Sequence, residues 1–189
     1  PQQRQIKEIN TGIMAFRAGL LKSSLQQLTT DNAQGEYYLT DTVAIANAAG
    51  VTIAALQTSD APQVQGVNNR LQLAELERTY QIRKARELAM SGVTIMDLNR
   101  LDIRGDISVG RDSSIDINVI LQGQVRIGNN VVVGPNVTII NSDIGDNVHI
   151  LANSHVESAI IHNDCHVGPF ARLRPGTELG VGSKIGNFV

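Results

Sequence analysis

The fold class this sequence predicts is an α/β region followed by a parallel β-helix built of six-residue repeats, and three observations carry it. After Leu101, aliphatic residues stand at 103, 109, 115, 121, 127, 133 and 139, resume at 144, 150 and 156, and resume again at 161, 167, 173, 179 and 185. Before residue 68, helix-like segments alternate with short apolar runs. Between the two regions lies one long stretch of strong helix formers without proline. The boundaries implied are an α/β layer over 1–68, a helix over 69–92 and a β-helix over 93–189.

In the first region, "EINTGIMAF" (8–16) reads as a loop entering a strand. "AGLLKSSLQQL" (18–28) spaces Leu21, Leu25 and Leu28 on one helical face. "LTDTVAIANAAG" (39–50) offers Thr40 or Asp41 as N-cap, an alanine-rich body and Gly50 as stop. "VTIAALQ" (51–57) then reads as a buried strand. In "NNRLQLAELERTYQIRKARELAMSG" (68–92), an asparagine opens the helix, Gly92 ends it, and Leu73, Leu76, Tyr80 and Leu88 give it an apolar side.

The sixfold beat needs a different account, since a strand repeats every two residues and a helix every 3.6. Each hexad supplies a short strand and a turn, with its aliphatic residue pointing inward. Three hexads close one triangular coil, and coils stack at about the 4.8 Å strand spacing. No coil buries its apolar face alone, so stacking makes the core. Glycine directly after the aliphatic position either relieves crowding or permits positive φ. Position i+4 is small or β-branched except at Asp143, beside the first slip in the rhythm. Cys165 falls on that position and becomes a core residue, which suits a chain with one cysteine and no internal disulfide.

Composition narrows the function. The net charge of −2 gives no electrostatic footprint for nucleic acid or an anionic membrane. The most apolar stretch, 43–56, is too short to span a bilayer. Residues 1–10 are polar and carry no secretory pattern, so a reducing cytoplasm is expected. The chain opens on Pro1 and stops within a repeat, and therefore reads as a segment of something longer.

The hexads resemble the hexapeptide-repeat left-handed parallel β-helix, and handedness comes from that resemblance. "EINTG" (8–12), "NAQGEYYLTD" (32–41), "GVNNRLQLAELER" (66–78) and "GPFARLRPG" (168–176) occur in order with the hexads. Together they resemble the bacterial bifunctional N-acetylglucosamine-1-phosphate uridyltransferase and glucosamine-1-phosphate acetyltransferase family. The resemblance implies the end of a Rossmann-like nucleotidyltransferase domain and the first half of a trimeric acetyltransferase β-helix. The implied reactions are acetylation of glucosamine-1-phosphate by acetyl-CoA and uridylyl transfer from UTP to N-acetylglucosamine-1-phosphate with Mg²⁺. Both serve UDP-N-acetylglucosamine synthesis for the cell wall and lipopolysaccharide.

Three residues match binding positions of that family. Asn68 is implied as a Mg²⁺ ligand and UDP-sugar contact, since an amide oxygen is a hard neutral donor; the alternative is an N-cap for the long helix. Asn10 is implied as a sugar-nucleotide contact; the alternative is an Asx turn before Gly12. Arg174 is implied as a ligand for the sugar phosphate, a task its planar fork suits. Pro175 restricts Arg174 to extended backbone, and Arg172 reads as a solvated neighbour. The family's acidic Mg²⁺ ligand is implied upstream of Pro1, and its general-base histidine and a phosphate-binding lysine beyond Val189. No catalytic residue is therefore expected within the segment, and by itself it is expected to catalyse neither reaction.

The four histidines raise a rival, because hexapeptide-repeat carbonic anhydrases hold zinc with histidines of neighbouring subunits. His162 and His166 have a zinc-like spacing. Coil arithmetic instead stacks His149 on His166 at one corner, and stacked surface imidazoles are the expectation. Two further alternatives are a sugar-nucleotide pyrophosphorylase whose β-helix lacks acetyl transfer, and a non-catalytic trimerising β-helix. The "EINTG" and "GVNNR" blocks weigh against the last, since a stalk needs neither.

Overall fold

The computed structural model describes Gln5 and residues 7–189, which form two compact units, Pro1–Asn68 and Asn69–Val189. In the first, helices α1 (Ala18–Leu25) and α2 (Asp41–Ala48) pack on each other through small residues, with Ser24, Thr42 and Ala46 buried. Thr40 is already helical in backbone and makes no side-chain cap, so the capping expected of it is absent; Asp41 places its charge in the first turn. Gly50, at φ +74°, ends α2 as expected.

The strand expected at 51–57 does not form. All seven of its residues are exposed, Leu56 completely, and no strand occurs among the described residues of this unit. The stretch expected to enter a strand after "EINTG" likewise stays irregular until α1. An apolar run supplies side chains for a strand, but only a neighbouring strand supplies the ladder its backbone needs. Among the described residues of this unit, nothing provides that ladder.

The second unit opens with α3 (Arg70–Met90), capped by Asn69, whose Oδ1 accepts from the Gln72 N–H at 2.9 Å. Its buried residues are Gln81 and Ala85, with Leu88 partly buried, whereas Leu73 and Tyr80 of the expected apolar side are exposed. The helix therefore meets its neighbour through a narrow stripe of its C-terminal half.

That neighbour is the first full coil of the β-helix. Strand β2 (Leu101–Val109) runs parallel to β4 (Val119–Ile127) over nine residue pairs, and both bend at a glycine, Gly105 and Gly123. A Cβ at Gly105 would sit 2.3 Å from the Gly123 carbonyl oxygen, so the corner admits no side chain.

Three ladders make the walls. The first joins β1 (Thr94–Ile95), β3 (Ser114–Ile115), β5 (Val132–Val133), β8 (His149–Ile150), β11 (His166–Val167) and β14 (Lys184–Ile185). The second stacks β6 (Thr138–Ile140), β9 (His155–Glu157) and β12 (Arg172–Leu173) on the first half of β4. The third stacks β7 (Asp143–Ile144), β10 (Ile160–Ile161) and β13 (Glu178–Leu179) on its second half.

The hexad positions point inward as expected. Leu121, Ile139, Ile150 and Val156 are among those fully buried, while Val109 and Ile185 are partly buried against the same core. The slips in the rhythm are shortened coils: Ser114 pairs with Val132, eighteen residues on, but Val132 pairs with His149, seventeen on. In the two shortened hexads the second inward residue moves forward to Ser142 and Ala159, both buried, and Asp143 and Ile160 turn outward. This accounts for Asp143 as the exception.

The glycines after the aliphatic positions serve mainly to avoid crowding. A Cβ at Gly110, Gly128, Gly134 or Gly145 would come within 2.3–2.9 Å of the coil above, and none of these four has positive φ. Positive φ falls to Gly168 and, more often, to asparagine and aspartate at the corners, including Asn118, Asn136 and Asn153. Their amides bond up one edge, Asn118 to Asn136 at 2.9 Å and Asn136 to Asn153 at 3.2 Å.

The lower edge of β2 is closed by α3. The Gln81 amide accepts from the Ile103 N–H at 2.5 Å and donates to the Ile103 carbonyl at 2.8 Å, replacing one rung of a missing strand. Gln81→Leu would leave both groups buried without partners. We expect a loss of about 2 kcal/mol in urea unfolding, against a change near zero for the exposed Gln124→Ala.

Candidate functional site

Asn10 lies in an exposed turn, where its Oδ1 accepts from the Gly12 N–H at 2.9 Å and Gly12 takes φ +79°. This is the Asx turn weighed as its alternative role. It commits the amide oxygen locally and holds the side chain in a defined orientation, with the NH₂ group left to donate outward.

At the start of α3 two asparagines stand side by side, and the structure divides their roles. Asn69 is the cap, as its extended backbone and bond to Gln72 require. The capping role considered for Asn68 therefore belongs to its neighbour. Asn68 is exposed and closes the first unit, the unit that also holds Asn10.

Arg174 belongs to the second unit and follows β12 on the outer face of the second wall. Leu173 is buried and the side chains on either side of it, Arg172 and Arg174, are exposed. The Arg174 carbonyl accepts from the Thr177 N–H at 3.1 Å and the Thr177 hydroxyl at 2.7 Å, which closes the turn through Pro175 and Gly176. Among the described residues neither guanidinium is ion-paired, so both are available to an external anion.

The histidines all lie on outer faces. His149 and His166 are Cα partners in the first ladder, with rings stacked at 4.6 Å and 24°. They stack as expected, on a flat wall rather than at a corner. His162 shares a 2.9 Å contact with Glu178 on the third wall, and His155 stands 3.7 Å from Glu157 on the second. Among the described residues no three His, Cys, Asp or Glu side chains converge as a metal site would require.

One polar cluster escaped the sequence reading because its members are far apart in the chain. Asp102 on β2 accepts from Arg78 of α3 at 2.9 Å and from Arg104 at 2.6 Å, and Arg78 also donates to the Asn99 carbonyl at 3.2 Å. Burial of Asp102 by itself raises its pKa. The hydrogen bonds from Arg104 and Arg78 and their positive charges outweigh that, and hold the carboxyl below its ordinary value. A shallow groove of about 260 Å³ lies beside this junction, between Tyr80, Lys84 and Leu88 of α3 and Gly105–Ile107 of β2.

The chain resembles known proteins along its whole length. A family model described as the GMPPB C-terminal domain matches residues 103–189, the coils. The chain is 50% identical over 188 residues to the bifunctional protein GlmU of Marinobacter nauticus, covering 100% of this chain and 41% of that protein. It is 55% identical over 188 residues to the GlmU of Cellvibrio japonicus, covering 100% of this chain and 42% of the relative. Along its whole length the chain is homologous to a segment of the bifunctional GlmU proteins. It spans about two fifths of the length of these curated relatives. No helix among the described residues is long and apolar enough to cross a membrane.

Two outcomes follow from the polar geometry. Because the folded-state pKa of Asp102 is depressed below its ordinary value of 3.8, its contribution to stability is present above that ordinary value and is lost as pH falls through the folded one. Acid titration of unfolding should show this loss in the wild type and not in Asp102→Asn. Asn69→Ala should lower stability by about 1 kcal/mol, the usual worth of an N-cap, as thermal unfolding would report.

Proposed function

We propose that this chain is the central part of a bifunctional enzyme of UDP-N-acetylglucosamine synthesis. The whole enzyme, as a cytoplasmic homotrimer, would acetylate glucosamine-1-phosphate with acetyl-CoA and transfer uridylyl from UTP to N-acetylglucosamine-1-phosphate. The reading rests above all on identity of about half the residues, from one end of the chain to the other, with proteins named bifunctional GlmU. It draws further support from the unit boundaries: Pro1–Asn68 carries Asn10 and Asn68, and Asn69–Val189 carries Arg174.

In the first unit, Asn68 would contact the UDP-sugar and offer one neutral oxygen to Mg²⁺. That is one donor of the six the ion takes, the rest being water, phosphate oxygens and other groups. Bound Mg²⁺ would neutralise charge on the phosphates. The Asn10 amide, oriented by its turn, would donate to the sugar nucleotide through the NH₂ group that the Asx bond leaves over. Orientation and charge stabilisation together would lower the barrier.

In the second unit, Arg174 would hold the phosphate of glucosamine-1-phosphate in a bidentate grip. A rigid wall suits this task, because the buried Leu173 and the closed 174–177 turn fix the position of the guanidinium's stem. Acetyl transfer would then need a general base to deprotonate the sugar amine for attack on the thioester.

The test is a double dissociation in the protein expressed from the native reading frame. Asn68→Ala should lower uridylyl transfer by about a hundredfold and leave acetyl transfer within about twofold. Arg174→Ala should do the reverse, raising KM for glucosamine-1-phosphate about tenfold or more. Equal loss of both activities with either variant, or of neither, would overturn the assignment.

A further inference from the structure

We propose that His149 and His166 form a two-imidazole site for a borderline divalent transition-metal ion, with Cu²⁺ favoured over Zn²⁺. The two residues occupy equivalent places on successive coils of the first wall, paired in register as Cα partners. Their ring centroids are 4.6 Å apart and their planes 24° from parallel. His149 is half-buried and His166 exposed, so an ion can reach the pair from solvent.

The pair is set apart by what surrounds it. His155 and His162 each face a carboxylate, Glu157 and Glu178. Among the described residues neither His149 nor His166 has a side-chain hydrogen bond or ion pair, so their ring nitrogens are not committed. The residue below in the same column is Val132 and the residue above is Lys184. The donor set is therefore two imidazoles and no oxygen.

Imidazole nitrogen suits copper, zinc and nickel, whereas Mg²⁺ and Ca²⁺ require oxygen ligands. Within the first, the general affinity order puts Cu²⁺ highest. Two metal–nitrogen bonds of about 2.0–2.1 Å need ring nitrogens about 3 Å apart. Rings already one strand spacing apart reach that by tilting further about their side-chain torsions, with no movement of the ladder. Water would complete the coordination. A bound ion would tie two successive coils together outside the core and so stabilise the folded state by mass action.

The site is independent of the residues assigned to sugar phosphate and UDP-sugar binding. Titration of the purified 189-residue chain with Cu²⁺, followed by calorimetry and electron paramagnetic resonance, tests it directly. The expected result is one ion per chain with two coordinated imidazole nitrogens. His149→Gln and His166→Gln should each weaken binding by about tenfold or more, the size of effect seen even for outer partners of metal ligands. His162→Gln should leave it unchanged, and Lys184→Glu, which puts a carboxylate in the same column, should tighten it. Mg²⁺ should produce no heat. Both histidines project outward, and a melting curve in the absence of metal checks that each variant folds. A single-nitrogen spectrum from the wild type, loss of binding in His162→Gln, or unchanged binding in both paired variants would overturn the proposal.

Discussion

The structure depends on stacking one flat coil on another at strand spacing. A single coil has no second layer against which to bury its aliphatic side chains, and its alternate backbone groups point up and down rather than across. Both needs are met by the next coil, which supplies apolar contact and ladder hydrogen bonds at once. Interior size follows from the same geometry: the inward positions hold Val, Ile, Leu, Ser, Ala and Cys, and among the described residues no aromatic side chain lies in the core. At the corners a coil approaches its neighbour so closely that Gly110, Gly128 and Gly145 leave no room for a Cβ.

A stack also has ends, and the lower one is managed in an unusual way. An open edge of parallel strand exposes N–H and C=O groups that invite pairing with other chains. Here α3 covers part of that edge with the Gln81 amide, which presents a donor and an acceptor with the spacing of a peptide group. The Arg78–Asp102–Arg104 cluster holds the same helix to the same strand from outside. A packed stripe, an amide rung and an ionic clasp thus act together on one junction. Loss of Gln81 is the most damaging of the three, because its partners are buried whereas the arginines remain accessible to water.

Rigidity of the walls fixes the residues that stand on their outer faces. A residue on the outside of a wall has its backbone fixed by ladders above and below, and its inward neighbour is locked in the core. Arg174, beside the buried Leu173, and the His149–His166 pair both have this support. In the first unit a turn does the same, since the Asn10 amide is braced on Gly12.

The sequence by itself determined the β-helix. A sixfold aliphatic beat has only one way to bury itself, and even the two slips were legible as positions where the rhythm shortens. It also determined where the long helix starts and stops, because caps and glycines act locally. Which of Asn68 and Asn69 caps it was decided by backbone conformation, which two adjacent asparagines do not reveal. The buried face of α3 was decided by its contact with β2: a glutamine faces the strand edge and two large apolar residues face water, against any reading from hydrophobicity. The missing strand at 51–57 has the same cause, since an apolar run shows what a segment could bury and not whether a partner strand is beside it. Local chemistry is written in neighbouring residues, whereas pairing between distant ones exists only once the chain has folded.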